Sequence, residues 1–470
     1  MTLNIEQLVA ELPDEGQIED SGQRALQEII AKLSHKPVPV GSVSRFLVLG
    51  SLQAKIAAAY LMHWIRSAFA DVDEKQAQLN KTHLNAAIKV LGSMGYLRGA
   101  IMKVGQALAA YPNLLPDQFI DTLSSLHFEA PPMHYALLRE HVRNELGKDP
   151  EDIFETFETK AFAAASLGQV HRARLKSGEE VAVKIQYPNI ARTIQSDFRN
   201  MMALLMPMRL HKEWDAIRDM WKDAFEMLEW ETDYEREASF LKKARSVFRA
   251  GENIVVPRLF EEYSTKRVLT MEYLDGVHLD AYLSQNPDQE ERDRFAALMM
   301  RASFRIAHTA KIWYSDSNPG NYLFLKSGEL GLIDFGCCRV FSEEEWAYYR
   351  EVYHAYLAGK EAYCETTMRT LNLNPDIPHE AENIKYIEEL ADWYCEYLLY
   401  DGAYDFGDEE KMKRGIELLA LIPKKGFYRS RPVNTWITRH LIGLRSIAFR
   451  LKARVNMKKI SEEETAGVFD

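Results

Sequence analysis

The chain has 470 residues, 47% hydrophobic and 27% charged, an ordinary globular balance with length for two or three domains, so disorder is not its default state. A formal net charge of -11 argues against a generic nucleic-acid binder, because neutralising phosphates needs a basic face. Four cysteines (Cys337, Cys338, Cys364, Cys395) are too few and too irregularly spaced for a disulfide framework or a paired zinc site, and they point to a reducing, cytoplasmic compartment.

In chain order, the first twenty residues are acidic and polar, with neither the apolar core of a signal peptide nor the Arg-rich face of a transit peptide, so no cleaved targeting segment is expected. Residues 1–42 read as a helical appendage whose periodicity is interrupted by Pro37 and Pro39. Residues 43–149 read as an all-α extension punctuated by Pro112, Pro116, Pro131 and Pro132. Within it, Phe46 to Ala70 is broken by Gln53, Lys55, His63 and Arg66 and lacks the roughly 18 apolar residues of a membrane span. It reads as an amphipathic helix that packs on the protein, with peripheral contact to a membrane surface left open.

The pattern changes after Asp149-Pro150. Ser166 to Ile185 alternates as a strand hairpin around Lys176-Ser177-Gly178, a long helical stretch covers about 191–250, and strand patterns return at Val255 to Phe260 and Arg267 to Tyr273. Residues 150–273 are therefore expected to form a small β-rich, nucleotide-binding lobe with a helical insert. Residues 274–470 are expected to form a mainly helical large lobe, with strands at Tyr322 to Leu325 and Leu330 to Ile333. The expected fold is α+β: two lobes of protein-kinase type behind an N-terminal α-helical extension.

The chemistry is carried by Asp316-Ser317-Asn318-Pro319-Gly320-Asn321 followed by Ile333-Asp334-Phe335-Gly336. This order and spacing is a kinase catalytic loop: Asp316 would position the nucleophile, and Asn321 and Asp334 would supply the hard oxygen ligands that Mg²⁺ accepts beside ATP. Upstream, Val181-Ala182-Val183-Lys184 matches the strand that delivers a phosphate-anchoring lysine, because alternation leaves Lys184 facing the cleft. Its partner should be a helix carboxylate; Glu237 is the choice, with Glu235 and Glu229 as competitors. Met271 to Gly276 should be the hinge, where the backbone of Glu272 and Leu274 could read an adenine edge. The nucleotide loop is Ala163-Ala164-Ala165-Ser166 rather than Gly-rich, and an alanine Cβ keeps backbone farther from phosphate, so the nucleotide should sit differently. No His-Arg precedes Asp316 and helix signals begin at Ser342, leaving no room for a long activation segment; a conventional protein kinase is disfavoured. Cys337 and Cys338 read as small buried filler rather than a redox pair.

These residues resemble the UbiB family of atypical kinases, over roughly 95–450. Lys103-Val104-Gly105-Gln106 is similar to its Lys-x-Gly-Gln signature, Ala163 to Ser166 to its Ala-rich nucleotide loop, and Glu231-Thr232-Asp233 to its Glu-x-Asp motif. The resemblance implies a regulatory set of Lys103, Gly105, Gln106, Glu231 and Asp233, with Lys103 meeting the two carboxylates. It also implies ATPase or small-molecule kinase activity that supports coenzyme Q synthesis, with membrane lipids, quinone precursors and quinone-synthesis proteins as partners. A nucleotide-switched pseudokinase scaffold and an ordinary protein kinase are the alternatives.

Overall fold

The computed structural model describes residues 135–165, 167–188, 190–192, 194–195, 214–314, 317–370, 372–373, 381–425, 428–429 and 432–467. The expected appendage at 1–42, the expected helix at 46–70, Lys103, Gly105, Gln106, Ser166 and Asp316 lie outside them. The chain divides into two compact units; apart from residues 214–224, which open a helix that continues into the second, the elements described belong to the second unit, which includes Pro132–Ala191 and Phe225–Asp470.

A helix, α1 (Tyr135–Leu146), and a single turn at Pro150–Ile153 lead into the first sheet. Its strands are β1 (Phe154–Phe157), β2 (Ala163–Ala165), β3 (Gly168–Leu175), β4 (Glu180–Gln186) and, later in the chain, β6 (Val268–Glu272). All pairings are antiparallel, in the order β1-β3-β4-β6, with β2 also on β3. Period-two alternation divides β4. Val181, Val183 and Ile185 join Ala173, Leu175 and Val268 under Leu138 and Val142 of α1, while Lys184 and Gln186 face the other way. Fully burying each such aliphatic side chain stabilises by roughly 1.5–3 kcal/mol, which pins the register and with it the direction of Lys184.

Two expectations change here. The alanine run is a strand, because Ala163 to Ala165 pair with Val170 to Gly168; β2 gains its pairing from β3, overriding the weak strand propensity of alanine. Between Val255 and Phe260 the chain serves two sheets: β5 (Ile254–Val255) pairs in parallel with the large-lobe strand β10 (Leu330–Leu332), while Leu259 bridges Met271 of β6, so only the end of the expected strand joins the first sheet.

The helical stretch breaks into α2 (Trp214–Glu231) and α3 (Tyr234–Ser246). Thr232 Oγ1 turns back to the Glu229 carbonyl at 2.7 Å, and the extended Asp233 caps α3 by accepting from the Arg236 amide at 3.1 Å. A second sheet is built from β7 (Gly276–Val277) and the hairpin of β9 (Tyr322–Leu325) with β10, in the order β5-β10-β9-β7. The large lobe is organised around the buried α4 (Gln289–Thr309). Around it stand α5 (Glu343–Ala358), α6 (Lys360–Thr370), α7 (Ala381–Leu399), α8 (Glu409–Lys425), α9 (Pro432–Arg450) and α10 (Met457–Thr465). Arg301 and Arg305 of α4 hold buried Glu464 of α10, tying the chain's end to the centre. No described helix is long and apolar enough to cross a membrane.

Candidate active site

Lys184 is 7% exposed and Glu237 is 1% exposed. The lysine Nζ donates to both Glu237 carboxylate oxygens, at 2.8 and 2.9 Å, and to Asp334 Oδ2 at 3.2 Å. The structure thus brings together β4, the first turn of α3 and the loop after β10. Burial pulls the lysine's pKa down, but Asp334 and Glu237 outweigh it and hold the ammonium well above its ordinary range. Burial, opposed by Lys184 and reinforced by Asp334, pushes Glu237 up to about 7. One ammonium serves two carboxylates, so the cluster of these three carries excess negative charge. Glu235, one competitor for the lysine, is exposed on α3, and Glu229 precedes the break.

The loop carrying Asp334 is fixed from both sides. Backbone pairing in the β9-β10 hairpin continues past the strands, with the Ile333 amide donating to the Asn321 carbonyl at 3.1 Å, so Asn321 and Asp334 emerge at the same end. Asp334 Oδ1 accepts from the Gly336 amide at 3.0 Å, and Phe335 is fully buried against Tyr314. Arg236, beside Glu237 on α3, donates to the carbonyls of Gly336 and Cys338 while stacked over Trp230 and Phe240. Helix α3 therefore grips the lysine with one residue and the Asp334 loop with the previous one.

Cys337 and Cys338 are buried free thiols; Cys337 Sγ donates to Glu231 Oε1 at 2.9 Å. Asp233, besides capping α3, pairs with Lys266 at 3.4 Å. The expected partner of these two carboxylates, Lys103, is outside the described residues. At the hinge, the Glu272 and Tyr273 amides donate to the Arg258 and Glu180 carbonyls, and Leu274 packs where Gly331 of β10 has no Cβ. Ala163 and Ala165 are half-buried on β2. Gly168, which follows, lies so close to β4 that a Cβ there would stand 2.3 Å from the Ile185 carbonyl oxygen.

The loop carrying Ser317 is also braced from α9, which the sequence pattern does not reveal. Trp436, His440 and Gly443 recur at helical spacing on one face. Trp313 of β8 (Ile312–Tyr314) donates to the Trp436 carbonyl, His440 bonds Ser317, and a Cβ on Gly443 would meet Ser317 Cβ at 2.6 Å.

Residues 125–367 match the description "ABC1 atypical kinase-like domain". The chain belongs to this ABC1 (UbiB) family of atypical kinases. It is 30% identical to "Atypical kinase COQ8B, mitochondrial" of Rattus norvegicus, covering 89% of this chain and 81% of that one, and 28% identical to the Danio rerio protein of the same name, covering 92% and 70%. "Atypical kinase COQ8, mitochondrial" of Saccharomyces cerevisiae is 29% identical over 68% of this chain and 64% of that protein. A solved structure of Rv3197 with erythromycin from Mycobacterium tuberculosis shares the fold, with a TM-score of 0.56 at 24% identity, covering 85% of this chain and 99% of that one. As an ABC1-family chain, the protein is an atypical kinase or ATPase.

Proposed function

We propose that this ABC1-family kinase uses Mg-ATP and passes the γ-phosphoryl group to water or to a small or lipid-linked acceptor, in support of quinone synthesis. The observation that carries the reading is the contact of Lys184 with both Glu237 and Asp334, an anchor, its helix partner and a metal-ligand candidate gathered at one point. Asn321 and Asp334 would hold Mg²⁺, a hard cation suited to their oxygens, and the excess carboxylate charge around Lys184 fits such an ion. When bound, the ion supplies charge neutralisation to phosphate oxygens. Lys184 then anchors phosphate and Asp316 orients the acceptor hydroxyl or water. The Glu272 carbonyl and Leu274 amide would read the adenine edge, since the Glu272 and Tyr273 amides donate within the protein. The quinone link rests on the UbiB resemblance and on the COQ8-named relatives, with lipids, quinone precursors and quinone-synthesis proteins as partners.

The test is purified protein with Mg²⁺ and γ-labelled ATP, counting label as free phosphate, in a membrane lipid extract and on added proteins. Label in the first two pools is expected. Label on the added proteins would overturn the non-protein acceptor, and absence of turnover would leave a nucleotide-switched scaffold.

A further inference from the structure

The core face of β3 departs from an apolar pattern at two positions. Ala173 and Leu175 join the small-lobe core, but Gln169 and His171, on the same face by period-two alternation, are polar, and they are 2% and 0% exposed. His171 pairs with Val183, a core residue of β4, so its ring lies on the face opposite Lys184 and the cleft. Buried polar groups persist in a core where they answer other polar groups.

What His171 answers is a break in the neighbouring ladder. Pairing on β3 runs through β1 to the Glu158 amide, which donates to the Arg172 carbonyl at 2.9 Å, and resumes where the Phe162 amide donates to the Val170 carbonyl at 3.0 Å. Residues 159–161 therefore bulge out opposite His171. At the bulge the Glu158 carbonyl takes a side-chain donor: His171 Nδ1 lies 2.7 Å from it, and Gln169 Nε2 lies 2.7 Å from His171 Nε2. A carbonyl only accepts, so Nδ1 carries a ring hydrogen. Burial lowers the pKa of His171, leaving the ring neutral near pH 7, so Nε2 is bare and accepts from the Gln169 amide. Phe157 stacks on the imidazole at 5.1 Å and holds its plane. One ring thus joins Glu158, which precedes the alanine strand β2, to Gln169, which follows it. Strand β2 spans only Ala163–Ala165, and so short a strand depends on what fastens its flanks.

We propose that Gln169, His171 and the Glu158 carbonyl form a lock that fixes the alanine loop against β3, and that His171 is a positioning residue for the nucleotide, acting through the loop from the far face of the sheet. The nucleotide half rests on the proposed function of that loop; the lock does not. A loop that holds nucleotide in the ground state and the transition state alike shows its loss in KM more than in kcat.

The lock is tested without nucleotide, by amide hydrogen exchange over residues 159–165 in the full chain. Exchange should be at least tenfold faster in His171→Ala and in Gln169→Met, which keeps the volume but removes the donor. In His171→Asn, whose amide can replace Nδ1 toward Glu158, it should stay within threefold of native. In the native chain, ring-nitrogen NMR assigned against His171→Asn should show a protonated Nδ1 and a bare Nε2, a readout that needs no variant other than the assignment control. For the nucleotide half, KM for ATP should rise at least fivefold in Gln169→Met and His171→Ala with kcat within threefold, and His171→Asn should return it to within twofold. Unchanged exchange in both lock-breaking variants, or a proton on Nε2 in place of Nδ1, would overturn the lock. A loosened loop with an unchanged KM would overturn the positioning role and leave His171 a stabiliser of the sheet. A native chain that neither binds nor turns over ATP would overturn that half together with the proposed function, while exchange and the ring shifts still decide the lock.

Discussion

Replacing Glu237 by glutamine keeps the shape of the side chain but removes the charge that faces Lys184. Deleting one partner of a buried ion pair outright costs about 3–5 kcal/mol. The amide oxygen of the replacement can still accept one bond from the ammonium, and Asp334 at 3.2 Å keeps part of its electrostatic partnership, so roughly half of that, about 2 kcal/mol, should be lost. On the proposed function, the same charge would hold the lysine in place for phosphate. If the loss is felt in the transition state, about 2 kcal/mol is roughly a 30-fold fall in kcat/KM for ATP. Urea unfolding and steady-state ADP release measure the two quantities on one preparation. Glu235→Gln, altering an exposed neighbour on the same helix, should leave the unfolding midpoint in place and the rate within twofold. A charge role for Glu237 is refuted if Glu237→Gln unfolds at the same urea concentration and retains kcat/KM within twofold, or if Glu235→Gln does the greater damage.

Arg236→Ala frees the Gly336 and Cys338 carbonyls and should lower kcat about tenfold, while Arg236→Lys, which keeps charge but not the fork, should recover only part of it by the same assay. Gly443→Ala would gain about 1 kcal/mol of helix propensity in isolation. Because its Cβ meets Ser317 at 2.6 Å, the change should instead lower both Tm and turnover. His308 is buried, with its folded pKa depressed to about 4 from 6.5. Between those values the unfolded chain binds the extra proton, so its stabilising contribution is full above pH 6.5 and is lost as pH falls toward 4. Urea titrations at pH 7 and pH 5 should differ by about 2 kcal/mol from this residue, and His308→Gln should flatten that difference.

The parts of the fold that follow local periodicity were legible in the sequence. Alternation along Val181 to Gln186 put Lys184 opposite the apolar face, and the hairpin around Gly178, the strands at Tyr322 and Leu330 and the helix starting after Ser342 all stand where composition places them. Ser342 and Glu345 form a reciprocal capping box, the local signal behind that last start. What could not be read depends on partners distant in the chain. Ala163 to Ala165 look like loop until β3 supplies their ladder, and β5 is short because β10, some 75 residues later, claims it. Arg236 looks like one more charge in an acidic run; its carbonyl partners lie 100 and 102 residues away. His440 and Gly443 sit in an ordinary amphipathic helix, and only the approach of Ser317 gives them meaning. Asp233 carried a motif reading, while the structure also makes it the cap of α3, a duty that the unbroken helical pattern over about 191–250 does not show.

The most direct test of the account is Mg²⁺-dependent ADP release by the native sequence and by Asp334→Asn, with folding of both checked by urea unfolding. Removing the carboxylate charge that faces Lys184 and, by this account, the metal should lower turnover at least about 100-fold, a loss of the order seen when a transition-state charge stabiliser is removed. The fold should survive, because Asp334 is only half-buried and Lys184 keeps Glu237. Turnover in Asp334→Asn within a fewfold of the native sequence, or equal turnover with and without Mg²⁺, would contradict it.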